Sequence, residues 1–285
     1  MPDYTATVAW LKPVVGAEVT VTPRLAMAYS AGLLLAEDRF YGVDASDPPV
    51  LPFFCTRLEW PVTLGFRNTL DLQPHELVRG VHARQDTQVH RAFRIGEVVQ
   101  TTGQMVEAKQ TRAGALTIIR YQTRSLTHGD VVTTSWSSGI YRGVQLPIEP
   151  FRGVASPPDL IAPTVGAEAH TDIHFPIHLT HAYTECADIW NPIHTEEPVA
   201  RAAGLPRIIV HGTILWALSG VRLADLKLGG DISRIRRFNG RFQAPVLPNA
   251  TARLVVRGDG PVFGWRLESP ETGTVHVAGE AECAA

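Results

Sequence analysis

The spacing of apolar and polar positions passes from a helical period to a period of two on two occasions along the chain. A short alternating piece, AEVTVT, opens the first half; Thr22 and Pro23 then stand where an N-cap and first helical residue belong. The apolar stretch RLAMAYSAGLLLAEDRF behind them predicts a helix of four to five turns. A Pro-rich lobe, DASDPPVLPFF, follows, and Pro61 interrupts a second apolar segment, which predicts a broken helix or an irregular lobe. From Leu77 onward the period falls to two. VRGVHARQDTQVHR, EVVQTTGQMVEAK, ALTIIRYQTRSL and DVVTTSWSSGIYR are rich in Val, Ile, Thr and Tyr, and the turn-prone runs FRIGE, TRAG and THGD separate them. They predict four long antiparallel strands. Gly143 to Pro163 carries Pro147, Pro150, Pro157, Pro158 and Pro163 without periodicity, the composition of a surface linker.

The second half repeats the order. Thr180 is placed to cap HAYTECADI, a WNPIH loop follows, a short helix spans Glu196 to Ala203 before Gly204, and Gly212 opens the apolar helix TILWALSGVRLADL. The strand-like runs ISRIRRFNGRFQ, ATARLVVRG, PVFGWRLES and TVHVAGEAEC come after it. Helix first and then a meander, twice over, reads as an internal duplication. An apolar helix made ahead of a long antiparallel sheet buries itself against that sheet, which curls round it. The expected fold class is therefore α+β with two tandem hotdog units; a single unrelated α+β domain is the alternative. The boundaries expected are 1–145 for the first unit, 146–165 for the linker and 166–285 for the second unit.

The formal charge of -2 and the 45% apolar content place 285 residues among ordinary globular chains. Without long like-charged blocks there is no field of the kind that recruits nucleic acid or an anionic membrane. The longest apolar run, Ala26 to Ala36, is far short of the roughly 20 residues that span a bilayer. The start carries Asp3, Lys12 and Pro13 where a secretory signal is basic and then apolar, so a cytoplasmic location is expected. Cys55, Cys186 and Cys283 are odd in number and far apart, and are expected to be buried thiols rather than disulfides or metal ligands. His174, His178 and His181 are loosely spaced with nothing to complete a zinc pattern, and GDGPVFG carries its third glycine one position late for a dinucleotide loop. No metal or resident cofactor is expected.

Chemistry concentrates in Asp188-Ile189-Trp190-Asn191-Pro192-Ile193-His194. Pro192 fixes its own φ and holds Asn191 out of the helical region, so the chain leaves the preceding helix in a preset bend just before an imidazole. Histidine is suited to moving protons near neutral pH, and Asn191 is placed to hold the loop or the ring. By itself NPIH is equally the signature of a turn around a buried histidine. The second feature is IIVHG ahead of an apolar helix: the unpaired amides of Gly212 and Thr213 offer the positive end of a helix dipole to a carbonyl oxygen.

The stretch NPIH, then TEEPVARAAGLPRIIVHG, then the basic strand ending FQAPVLPN resembles the MaoC-like or (R)-specific enoyl-CoA hydratase/dehydratase family in its double-hotdog form. The resemblance is close over about residues 170 to 285 and rests on layout alone in the first half. It implies addition or removal of water at a trans-2-enoyl thioester, carried on coenzyme A or a carrier protein. In the family the loop resembles D-x-N-P-[IL]-H, the Asp and His activating a water; His194 and Asn191 match, while Ile189 stands at the Asp position. Asp188 is the expected substitute partner for His194, with Glu185 behind it, and Gly212 is the expected oxyanion donor. Trp190, Tyr183 and Thr213 are candidate pocket residues, and Arg237, with Arg234, Arg236 and Arg241, is a candidate for the coenzyme A phosphates. The resemblance implies one site per chain, with the first unit modified for a bulky or long acyl tail. An enoyl-thioester isomerase working through His194 without a water-holding Asp, and a non-catalytic acyl-CoA binding subunit within a homodimer or hetero-oligomer, are the alternatives.

Overall fold

The computed structural model describes residues 12–42, 47–70, 72–145, 150–153 and 156–284. The readings of the opening residues, of part of the Pro-rich lobe (43–46) and of part of the linker (146–149 and 154–155) lie outside the described residues.

A strand, β1 (Val14–Thr20), leads into helix α1 (Pro23–Gly32). Its start follows the sequence: the Thr22 hydroxyl accepts from the Leu25 amide at 3.2 Å, with Pro23 in the first turn. Its end does not. The helix spans ten residues, because Leu34 adopts a left-handed φ of 54° that an α-helix cannot continue through. The apolar run beyond it serves the core from an irregular segment, with Leu33 and Leu35 buried, and a 3-10 turn covers Asp38–Phe40.

Helix α2 (Cys55–Arg67) runs continuously through Pro61, which corrects the expectation of a broken helix. Pro61 faces outward, where the missing amide bond is absorbed by the gentle curvature of a helix wrapped round a core. It is α2 that lies in the first sheet. Its Val62 sits on Gly103, where an added Cβ would come 2.5 Å from Val62 Cγ1, so the glycine sets the depth to which the helix sinks.

After a short α3 (Pro74–Leu77), the expected strands appear as β2 (Gly80–Val89), β3 (Val98–Thr111), β4 (Gly114–Ser125) and β5 (Val131–Arg142). Within the linker region β6 (Phe151–Arg152) pairs with β3. β7 (Glu168–His174) was not anticipated; along it only Ile173 is buried, so hydrophobicity gives it no signal. Helix α4 (Ile177–Ala187) begins before Thr180, whose hydroxyl donates to the Ile177 carbonyl at 3.2 Å instead of capping the helix. Then come α5 (Glu197–Ala202), the long α6 (Gly212–Lys227), and β8 (Ile235–Phe242), β9 (Thr251–Arg257), β10 (Val262–Glu268) and β11 (Val275–Cys283).

All strands join one sheet in the order β1-β3-β4-β5-β2-β8-β11-β10-β9-β7, with β6 added at β3. The two halves have the same internal order and meet back to back at the antiparallel pair β2–β8, from Arg84↔Arg241 to Gln88↔Arg237. Arg237 is buried at this seam, donating to both oxygens of Asp86 at 2.8 and 2.7 Å and to the Pro158 carbonyl at 2.9 Å. The pair is bidentate, the geometry in which a desolvated guanidinium is best compensated. On the inner face Trp216 of α6 is fully buried against Phe53 and Phe238, and Phe238 stacks on Trp265 at 4.9 Å. Each such side chain contributes roughly 1.5–3 kcal/mol of transfer free energy. Helices α1 and α4 pack together, the hydroxyls of Tyr29 and Tyr183 lying 3.4 Å apart across 154 residues of sequence. No helix among the described residues is long and apolar enough to cross a membrane.

Candidate active site

The loop after α4 is built by its backbone preferences. Asp188 adopts φ 55°, ψ 41°, closing the helix in the left-handed region that Asp tolerates better than most residues. Asn191 is extended at φ -140°, as the residue before a proline tends to be, and Pro192–His194 form a 3-10 turn in which the His194 amide donates to the Asn191 carbonyl at 3.1 Å. The His194 ring is 8% exposed, and Nδ1 lies 2.9 Å from the Ile209 carbonyl. A carbonyl only accepts, so Nδ1 carries the proton and Nε2 is left with its lone pair. Burial pushes the imidazole pKa down to about 4, which keeps the ring neutral at physiological pH.

His211 stacks on His194 with ring centroids 3.8 Å apart, while its Nε2 lies 3.2 Å from the Thr184 hydroxyl. Burial first, and the neighbouring His194 second, hold its pKa well below the usual value. Gly212 follows at the first position of α6. Among the described residues nothing accepts a hydrogen bond from the amides of Gly212 or Thr213, whereas those of Ile214 and Leu215 donate to the His211 carbonyl. A Cβ on Gly212 would stand 3.1 Å from the Phe242 ring, so the glycine keeps this corner open.

These groups line one cavity of about 370 Å³ whose walls come from both halves of the chain. It brings together Asn191, His194, Gly212 and Thr213 from the sequence-based set, and Ile189 faces it too. It does not include the others. Asp188 is turned outward by its left-handed backbone; its side chain is 74% exposed and pairs with Arg57 at 3.4 Å. Glu185 is exposed on α4, and Trp190 is 58% exposed outside the cavity wall. Tyr183 is fully buried beneath it, engaged with Tyr29 and edge-on to His211. Arg237 is spent on Asp86 at the seam, Arg241 pairs with Asp159, Arg234 holds the Ala284 carbonyl and Arg236 the Ser233 carbonyl, so the seam accounts for a strand that looked suited to phosphates.

The first half contributes what the sequence reading missed. Glu59 of α2, His82 and Gln85 of β2, and Tyr141 of β5 all face the cavity. Burial pushes the Glu59 carboxyl up against the opposing pull of Ser135 and Gln85, and pushes the His82 pKa down to about 4. Nothing in TRLEW, where Arg57 is charged as well, or in the alternation of β2 singles out Glu59 or His82. No group of three His, Cys, Asp or Glu side chains placed to hold a metal ion occurs among the described residues.

Residues 174–278 match the family described as MaoC like domain. The enoyl-CoA hydratase ChsH3 of Mycobacterium tuberculosis is 32% identical over 78 residues, 27% of each chain. Curated relatives such as this one and the fatty acid synthase beta subunit pkiC of Emericella nidulans are matched over 27% and 4% of their own lengths, respectively. The crystal structure of a MaoC-like dehydratase from Phytophthora capsici superposes with a TM-score of 0.79 at 17% identity, covering 98% of both chains. A Mycobacterium tuberculosis protein described as having a double hotdog fold superposes with a TM-score of 0.61 at 15% identity over 95% of this chain and 96% of that one. Residues 174–278 are thus similar to a MaoC-like domain, and the chain has the α+β double-hotdog fold.

Proposed function

We propose that the chain is an acyl-thioester hydratase/dehydratase that adds water to, or removes it from, a trans-2-enoyl group carried on coenzyme A or a carrier protein. The observation that carries this reading is one cavity holding a neutral histidine with a free Nε2 beside two unpaired amides at a helix start. In hydration His194 Nε2 takes a proton from water as the water oxygen bonds to Cβ. The π pair moves toward the thioester oxygen, and the Gly212 and Thr213 amides bear the developing enolate charge. The imidazolium then returns a proton to Cα, completing the addition, and dehydration is the reverse. Asn191 shapes the loop through its carbonyl and presents its side chain to the same space.

Ile189, 4% exposed at the position where the resembling loop carries aspartate, favours a second reading. Moving the double bond within the substrate needs a base and an enolate site but no held water, so the same groups would serve an isomerase. Incubation with crotonyl-CoA and trans-2-decenoyl-CoA, following conjugated-thioester absorbance and product mass, separates the two. Uptake of one water supports the hydratase, a shifted double bond at unchanged mass supports the isomerase, and binding without either assigns a non-catalytic acyl-CoA subunit.

A further inference from the structure

Beyond His194 the cavity continues along the first half of the chain, where apolar side chains such as Trp60, Phe66, Leu70, Met105 and Ile119 line it together with one polar row. Glu59 is 4% exposed; the Ser135 hydroxyl donates to its Oε1 at 2.5 Å and the Gln85 amide to its Oε2 at 3.0 Å. The Gln85 carbonyl oxygen lies 3.1 Å from His82 Nε2, and the Ser137 hydroxyl lies 2.9 Å from the same nitrogen. The His82 ring packs on Phe242 at 4.6 Å, and Phe242 stands over Gly212. The polar row therefore starts next to the proposed oxyanion corner and leads away from it into the first half. Beside it, Tyr141 lines the cavity and its hydroxyl bonds to no described residue.

The apolar part of this wall suits an alkyl chain, but an unsubstituted chain laid along the polar row would leave the open position of a buried carboxylate and the Tyr141 hydroxyl without a partner. A carboxylate has about four acceptor positions, of which Ser135, Gln85 and the Cys55 thiol take three on Glu59, so one remains for a donor from the ligand. We propose that the acyl group of the substrate carries a hydroxyl, recognised by Glu59 and the polar row around it, so that Glu59 determines specificity rather than taking part in the proton transfer. The proposal rests on the acyl-thioester reading for the thioester end of the ligand, and concerns the part of the acyl group remote from the reacting carbons.

The test uses saturated decanoyl-CoA and its monohydroxylated positional isomers for binding by calorimetry, with the matching trans-2-enoyl-CoAs for turnover. The wild type is expected to favour at least one hydroxylated isomer by about tenfold in Kd and in kcat/KM, the scale of one hydrogen bond to a charged group. Glu59→Leu is expected to abolish the preference. Because it leaves Ser135 and Gln85 without their acceptor and can unfold the chain, Glu59→Gln serves as the size-matched variant and should lose most of the preference, read as the ratio of the Kd values for plain and hydroxylated decanoyl-CoA within that variant. A wild type that binds decanoyl-CoA as tightly as every hydroxylated isomer overturns the proposal, whatever its turnover. So does a preference that survives in folded Glu59→Gln and Glu59→Leu. Preferential binding without turnover sinks the hydratase reading and leaves the recognition of a hydroxylated acyl group standing; failure of every acyl-CoA to bind overturns both.

Discussion

Leu34 and Asp188 adopt the same left-handed φ, 54° and 55°, each at the end of a helix that carries one of the two contacting tyrosines, Tyr29 and Tyr183. Each then leads to a 3-10 turn, Asp38–Phe40 in the first half and Pro192–His194 in the second. The backbone is thus the same loop twice, and its last residue is phenylalanine in one copy and histidine in the other. Phe40 is buried in the main core with the Arg39 guanidinium over its ring, and Glu37 and Arg39 tie that loop to Arg222 and Asp225 on α6. The second loop clasps α2 in return, Arg57 donating to the Ala187 carbonyl, but it opens onto the cavity. The helix starts differ in the same sense: Cys55–Thr56 opens α2 with a fully buried thiol, whereas Gly212–Thr213 opens α6 with no side chain in the way. A repeated scaffold becomes a site or a seal by what stands at two positions.

Exchanging those residues tests the comparison most severely. His194→Phe gives the second loop the ending of the first; under the role proposed for His194, turnover is expected to fall by about two to four orders of magnitude. Circular dichroism should report an intact fold, since the first loop already accommodates Phe there. The converse, Phe40→Ala, is expected to leave turnover unchanged and to cost about 3–5 kcal/mol in denaturant unfolding, as loss of a buried aromatic does. Near-normal turnover in folded His194→Phe would mean that the two loops do not differ in function as they do in content.

Gly212→Cys makes the second helix start like the first. The new Cβ would press on Phe242 at 3.1 Å, a ring that itself lines the cavity beside the two amides. Displacing a reacting group by even 1 Å costs about a hundredfold, so kcat/KM should fall on that scale while the melting temperature moves little. Unchanged kinetics in this variant would separate the glycine from the reaction.

Much of this arrangement was legible in the sequence. The long strands were signalled by period-two runs with turn residues between them, and NPIH and HG fixed the second loop because Pro192 and Gly212 act locally. Elements whose signal is not local were missed. β7 buries one side chain at a sheet edge, and α1 is cut short by a strained Leu34 inside an apolar run that looks uniformly helical. Arg237 looked like a phosphate ligand because its partner Asp86 is 151 residues away and meets it only through the β2–β8 seam. Asp188 looked like a partner for His194 because sequence distance says nothing of a left-handed turn. The polar row from Glu59 to His82 stayed hidden because it forms only when α2 sinks onto β2 and β5.

The two sites also differ in what titrates. His194 and His211 have no ionisable counterpart at the first loop, where Phe40 and Phe54 stand, and burial lowers both of their pKa values. The unfolded chain then takes up protons near pH 6.5, while folded His194 and His82 stay neutral down to about 4 and burial holds His211 neutral well below its usual range. Their contribution to stability is therefore complete above about pH 6.5 and is lost as the pH falls toward 4. Glu59, whose pKa is raised, acts in the opposite direction, losing stability as the pH rises through its own range, but it is one group against three. Melting curves from pH 7 to pH 4 should fall less steeply in His194→Phe than in the wild type, by roughly a few degrees at the acid end. Equal slopes would remove His194 from the acid sensitivity.

The smallest effect is expected at the residue where the two loops agree in backbone and differ in chemistry. Asp188 is exposed, outside the cavity wall, and 3.4 Å from Arg57, a surface pair worth about 0–1 kcal/mol. Asp188→Asn keeps a side chain that tolerates the left-handed region, so both turnover and stability should stay within about twofold of the wild type in equilibrium terms. Asp188→Leu copies the first loop and imposes its strain, at a cost of about 1 kcal/mol in unfolding but no matching loss of kcat. Measured side by side, these variants separate a turn-forming role from a catalytic one. A severe loss of hydration in folded Asp188→Asn would require the carboxylate to swing inward and reach the water beside His194, and the second loop would then differ from the first in its motion as well as in its side chains.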